Sequence, residues 1–253
     1  MRVLDILFRY VVAFLALLIL WQIGAWALGP YILPAPLDVL GAWTDALGGP
    51  DLWGHIRSSA FRVATAMSLA WVVAFPLGIF LGYKRRIDRF ISPMVFLTYP
   101  LPKIVLLPVF LTLFGLGDLS KILLIALTTG YQILVVTRDG IRHLDGRYLE
   151  SFRTLGGSPV QLIRHVLVPA ALPDAMTSLK VASGTAVAVL FMAESFATQS
   201  GLGFIIMDAW GSGNQLEMFC GILTMSVLGL MVYETCHITE KLLCRWKKLE
   251  TRR

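Results

Sequence analysis

Uncharged apolar runs about as long as a bilayer is thick recur along this chain, and they constrain it more than any other feature. Residues 10–28 contain no charge, and the most polar side chain there is Gln22. Residues 63–83 are likewise uncharged and carry Pro76 and Gly78. A helix crosses the hydrocarbon core with about 20 mostly apolar residues. Four further stretches meet that standard with interruptions: 90–117, broken by Pro93, Pro100, Pro102, Lys103 and Pro108; 119–137; 175–200, with Lys180 and Glu194 inside it; and 218–238. Composition agrees, because 57% hydrophobic and 15% charged residues stand well away from the roughly 45–50% and about 25% of soluble domains. The sequence therefore predicts an all-α polytopic membrane protein with six transmembrane helices, forming a single domain over 1–253. A soluble enzyme, a disordered chain and a secreted disulfide scaffold are excluded. Cys220, Cys236 and Cys244 lack metal-type spacing, and no metal site is expected.

The net charge of +6 describes topology. With a cytoplasmic N-terminus, seventeen of the 22 Lys and Arg fall in inner segments. These are Arg2 and Arg9; Lys84, Arg85, Arg86 and Arg89; Arg138, Arg142, Arg147, Arg153 and Arg164; and the tail Lys241, Arg245, Lys247, Lys248, Arg252 and Arg253. The outer segments hold Arg57, Arg62 and Lys121, while Lys103 and Lys180 fall at membrane depth. Positive charge accumulates on the cytoplasmic side, so both termini are expected in the cytoplasm, and no nucleic-acid partner is expected. Lys121 and Arg138 flank the short fourth span, where long side chains are expected to reach back to the interface. Arg2 and Arg9 before an apolar run ending in Ala25-Trp26-Ala27 also resemble a secretory signal. The run is longer than a usual signal core, however, and Trp21 and Trp26 read as interfacial anchors.

The segment 138–173 is the most informative. Residues 148–155 read as a short amphipathic helix with Leu149, Phe152 and Leu155 on one face. Gly156-Gly157 stops it, because glycine accepts a left-handed cap. Ser158 then suits an N-cap, Pro159 the first helical position and Gln161 the reciprocal capping-box position. The second helix is expected to run through Val168 and meet Pro169, with Pro173 four residues on. Local physics leaves two readings of this helix, glycine elbow and helix: a grip for a cytoplasmic partner, or an ordinary capped loop between spans.

Glu150-Ser151-Phe152, three residues, Gly156, nine residues, then Val166-Leu167-Val168-Pro169 resembles the EAA loop of ABC importer permeases. That loop has the form Glu-Ala-Ala, three residues, Gly, nine residues, Ile-x-Leu-Pro; Ser151 and Phe152 depart from its alanines. Leu33-Pro34-Ala35-Pro36, Pro100-Leu101-Pro102-Lys103, Phe114-Gly115-Leu116-Gly117 with Lys121-Ile122, Pro169-Ala170-Ala171-Leu172-Pro173, and Ala193-Glu194 before Ser200-Gly201-Leu202-Gly203 are similar to the nitrate/sulfonate/taurine group. The resemblance implies a type I ABC importer permease fold in the inner membrane, two permeases paired as a homodimer among lipid, and cytoplasmic ABC ATPase subunits. It also implies an external or periplasmic binding protein that delivers a small polar, anionic solute such as nitrate, sulfonate or taurine. Coupling to the ATPase would rest on Glu150, Ser151, Phe152, Leu155, Gly156, Ser158 and Pro169.

The chain has no GxxxxGK[ST], HExxH or GxSxG, so an energy source must come from elsewhere. No cofactor is expected on this chain, with ATP and Mg on the partner ATPase, and no catalytic residue is assigned. A membrane enzyme acting on lipid would need a nucleophile or metal site that the sequence lacks, and a lone channel or carrier fits the EAA-like elbow poorly. Pro100, Pro102, Lys103 and Pro108 are candidates for the translocation path, since broken helix at membrane depth is tolerated where protein or water satisfies it. Plain packing kinks are the alternative. Lys180 and Glu194 are ionisable residues within a span, and such residues suggest function. Lys180 is placed at the inner interface and Glu194 is read as a gate or docking residue. Ala182, Ser183, Gly184, Thr185, Ala186 and Ala188 allow close helix approach.

Overall fold

The computed structural model describes residues 2–196 and 198–246, with side chains from Phe8 onward and that of Arg153 excepted. The basic side chains of Arg2, Arg153, Lys247, Lys248, Arg252 and Arg253 thus lie outside the described residues. Within them every regular element is helical. Five helices are long and apolar enough to cross a membrane: Phe8–Leu28, Pro50–Tyr83, Asp118–Arg142, Pro159–Glu194 and Gln215–Leu243. A sixth crossing is available only from a pair, Arg85–Thr98 and Lys103–Phe114, bent by 86°.

Several helices outrun their apolar segments. The second starts at Pro50, with proline in the first turn and Asp51 beside the N-terminal dipole. The fourth continues to Arg142 instead of stopping near 137. The fifth departs most from expectation, because neither Pro169 nor Pro173 ends it. A π-helical turn over Ile163–Leu167 precedes Val168–Glu194. That wider turn relaxes the hydrogen-bond ladder ahead of Pro169, where a regular α-helix would set the ring against a carbonyl. The helix then ends at Glu194, six residues short of position 200.

Contacts divide the chain into two compact units, Met1–Ser59 with Glu194–Ser226 and Ala60–Ala193 with Val227–Arg253. In the first unit α1 (Arg2–Leu28) is apolar and, from Phe8 onward, exposed along nearly its whole length, the pattern of a helix surrounded by lipid. Trp21 ties it down: its indole N–H donates to the Pro34 carbonyl at 3.0 Å, and its ring lies 6.0 Å from that of Phe219. Helix α2 (Pro36–Gly48) opens on a proline and buries Val39, and Trp43 donates to Thr224 at 2.9 Å.

In the second unit α3 (Pro50–Tyr83) meets α6 (Asp118–Arg142) through glycine. A β-carbon at Gly78 would lie 2.7 Å from Thr137 Cβ, and one at Gly82 would lie 2.6 Å from Ile141 Cβ and 2.7 Å from the Arg138 carbonyl. Gly78 and Gly82 form a GxxxG pair, which lets helix backbones approach closely. Farther along the same contact Gly130 faces Ala70 and Ala74, where a β-carbon would meet only ordinary contacts at 3.7–3.8 Å.

Candidate functional site

Two places gather the residues singled out by sequence. The first is the elbow. Helix α7 (Gly146–Thr154) is started by Asp145, whose carboxylate accepts from the Arg147 N–H at 3.0 Å. It ends as glycine requires: Gly156 has φ +74°, and the Gly157 N–H reaches back to the Phe152 carbonyl at 3.3 Å. This six-to-one bond is a Schellman cap. The Phe152 ring then lies over Gly157. Ser158 starts the next helix, α8 (Pro159–Leu162), with both halves of a capping box, Gln161 N–H to Ser158 Oγ at 3.3 Å and Ser158 N–H to Gln161 Oε1 at 2.9 Å. Leu149 and Phe152 are half-buried, but Leu155 falls beyond the helix end and is 84% exposed, so the expected three-residue face is only two residues long. Glu150 and Ser151 are exposed, as are Tyr148 and Val160.

An ion-pair cluster braces α6 just before the elbow. The Arg138 guanidinium donates to both Asp88 oxygens, at 2.5 and 2.7 Å, and to Ser92 at 2.7 Å. Arg142 donates to the same carboxylate at 2.6 Å. Asp88 and Arg138 are both buried. Arg138 therefore does not reach out to the interface, because its planar fork finds a matching carboxylate on α4 (Arg85–Thr98). Lys121 is likewise buried, donating to the carbonyls of Leu116 and Gly117 at 2.8 and 3.2 Å. These carbonyls lie at the turn into α6, and the Gly117 carbonyl also accepts from Ser120 Oγ at 3.0 Å. A cavity of about 550 Å³ beside the cluster is lined by Gly82, Lys84, Arg86, Arg142, Gly146 and Leu149.

The second place is the broken helix. Pro100 and Pro102 lie in the bend between α4 and the 3-10 turn Lys103–Leu106, and Pro108 sits in the first turn of α5 (Leu107–Phe114). Lys103 lies at the bend. Its Nζ donates to the Tyr99 carbonyl at 2.5 Å and sits 4.4 Å from the centre of the Tyr131 ring and 5.1 Å from that of Tyr99.

Lys180 and Glu194 belong to neither place. Lys180 pairs with Glu240 at 2.6 Å, and Thr177 donates to the other oxygen of that carboxylate at 3.0 Å. Glu194 is fully buried and accepts from Ser59 Oγ at 2.8 Å and from the Gly203 N–H at 3.0 Å. Ser59 Oγ accepts from the Leu202 N–H at 2.8 Å, and a side chain at Gly201 would strike the carboxylate. Glu194 thus organises the turn into α10 (Leu202–Gly211). Asp88, Ser59, Glu240, Tyr99 and Tyr131 escaped sequence reasoning. Asp88 alone left a signal, as the single acid in the basic run from Lys84 to Arg89.

Residues 74–234 match the family described as "Binding-protein-dependent transport system inner membrane component". The chain belongs to this family. The permease is 29% identical over 230 residues to SsuC of Bacillus subtilis (strain 168), named for aliphatic sulfonates transport, covering 90% of this chain and 83% of that protein. It is 28% identical over 236 residues to ThiX of Halalkalibacterium halodurans, named for formylaminopyrimidine transport, covering 93% and 94%. Its fold is similar to a chain of the inward-facing MetNI methionine ABC transporter, with a TM-score of 0.66, 19% identity, and coverage of 76% of this chain and 95% of that one. The permease is accordingly a multi-pass transport subunit of an ABC importer rather than an enzyme, in a family that works with an ATPase and a binding protein.

Proposed function

We propose that the permease forms the translocation path for a small polar anion and takes its drive from a cytoplasmic ATPase through the elbow at 146–169. The elbow carries this reading. Its two turns are closed by its own residues, Gly156 and the Ser158–Gln161 box, so Glu150, Ser151 and Leu155 are presented on a stiff unit. Phe152 takes part by bracing Gly157, and the π turn carries Pro169 into a helix continuous to Glu194. A push on the elbow then reaches membrane depth along one helix. The same reading sets both termini in the cytoplasm and leaves ATP and Mg to the ATPase, with no cofactor on this chain.

Relatives named for sulfonates and for a formylaminopyrimidine differ in solute charge. The anion is favoured because Lys103 lies at the bend of the broken helix, alongside Pro100 and Pro102. Pairing of two copies in the lipid is supported by α9 (Val168–Glu194), where Gly184 and Ala188 are exposed at four-residue spacing while Ala182 and Ala186 are buried. Co-expression with its ATPase should yield two permeases and two ATPases. Uptake of radiolabelled ethanesulfonate but not of a neutral pyrimidine is the expected result, and the reverse preference would overturn the anionic reading.

A further inference from the structure

Several charges within the helical spans are answered by opposite charge or by a set of polar groups. Arg138 has Asp88, Arg62 has Asp118 at 2.7 Å, Lys180 has Glu240, Glu194 has Ser59 and the Gly203 N–H, and Lys121 has two carbonyls. Lys103 is held differently. One of its three N–H donors goes to the Tyr99 carbonyl, and two tyrosine faces cover the ammonium. Among the described residues no carboxylate pairs with it. Tyr131 is itself fixed, its hydroxyl 3.0 Å from Thr98 Oγ1 at the end of α4.

This arrangement positions a cation without neutralising it. A carboxylate partner would hold Lys103 more strongly, but it would cancel the positive field and repel an incoming anion. A tyrosine face attracts the ammonium through its quadrupole and bears no net charge. The remaining N–H donors suit the oxygens of a sulfonate, nitrate or carboxylate, which accept charge-assisted hydrogen bonds. Position supports the same use. Pro100 and Pro102 bend the span at this residue, and backbone so broken is tolerated at membrane depth where it lines a cavity or is covered by protein.

We propose that Lys103, held by Tyr99 and Tyr131, is the anion-recognition residue of the translocation path. The proposal rests on the reading that the solute is an anion. It is tested with the permease assembled with its ATPase in liposomes, loaded binding protein outside and radiolabelled ethanesulfonate as probe. Two quantities are read: solute uptake, and ATP hydrolysis stimulated by the binding protein. Lys103→Gln should lower uptake at least ten-fold while stimulated hydrolysis stays within two-fold of the parent, and Lys103→Arg should restore most uptake. Unchanged uptake by Lys103→Gln would overturn the role of Lys103 and leave the anionic reading standing. Loss of stimulated hydrolysis together with uptake would make Lys103 a brace of the bend, which also overturns the proposal. Failure of the parent protein itself to carry ethanesulfonate or nitrate would remove the anionic reading, and the proposal with it.

Discussion

The ring of Phe152 lies against the backbone of Gly157, in the space that a β-carbon there would occupy. Phe152 is the third helical residue from the cap and Gly157 the second residue beyond it, the two positions that commonly touch in a Schellman motif. A phenylalanine in place of the family's alanine is thus accommodated inside the elbow. Gly157→Ala should expel the ring, with an overpacking cost of about 1–3 kcal/mol, and reduce ATPase co-purification. Adding Phe152→Ala should recover it, and failure of that rescue would show that the two residues act separately.

Gly156→Val tests the other half of the turn. Its φ of +74° places a β-branched side chain in the left-handed region, at a cost of about 1–2 kcal/mol. Membrane yield should be unchanged while ATPase co-purification and uptake fall. Ser158→Ala, losing one cap, should cost about 1 kcal/mol and show a milder version of the same defect. Normal transport by Gly156→Val would reduce the elbow to a connector.

Asp88 holds two guanidinium groups from a buried position. Asp88→Asn takes the two-pronged counter-charge from buried Arg138 and leaves it only the partly exposed Asp139, at 2.6 Å, whereas loss of every partner of a buried charge would cost about 3–5 kcal/mol. A lowered melting temperature of the purified protein in detergent is expected. Arg138→Lys should also be unstable, because an ammonium cannot reproduce the two-pronged contact. Replacing both residues together, Asp88→Leu with Arg138→Met, should be less damaging than Asp88→Asn alone.

The α3–α6 contact predicts an asymmetry among glycines. Gly82→Leu would drive a side chain into Ile141 and the Arg138 carbonyl and should sharply lower the yield of folded protein. Gly130→Ala, meeting only Ala70 and Ala74 at ordinary distance, should be tolerated. Equal outcomes in a thermal-stability assay would mean that the helices shift apart at little cost.

Glu194→Gln turns one acceptor into a donor opposite Ser59 and the Gly203 N–H. Leaving such a buried group unsatisfied costs about 1–3 kcal/mol. Hydrogen exchange of the amides at 201–203 should accelerate, with the solute preference unchanged. An altered preference would return Glu194 to the translocation path.

Membrane character, the approximate crossings and both turns of the elbow were legible in the sequence because each is a short-range property. Twenty apolar residues state their solvent, and a glycine pair followed by Ser-Pro-x-Gln states how the backbone turns. Helix ends were less legible. Pro169 is a local stop signal, yet the π turn Ile163–Leu167 just before it absorbs it, and no local pattern announces that turn. Apart from Lys121, the fates of the buried charges were decided by tertiary structure. Lys121 and Arg138 look like residues that reach toward water, but Lys121 folds back on the carbonyls of Leu116 and Gly117 at the start of its own helix, and α4 brings Asp88 within 2.7 Å of Arg138. Glu194 and Lys180 look alike in sequence, but Ser59 lies 135 positions from the first and Glu240 lies 60 from the second. An ion's cost in a membrane is set by whatever surrounds it, and those neighbours are supplied by helix packing across long stretches of chain.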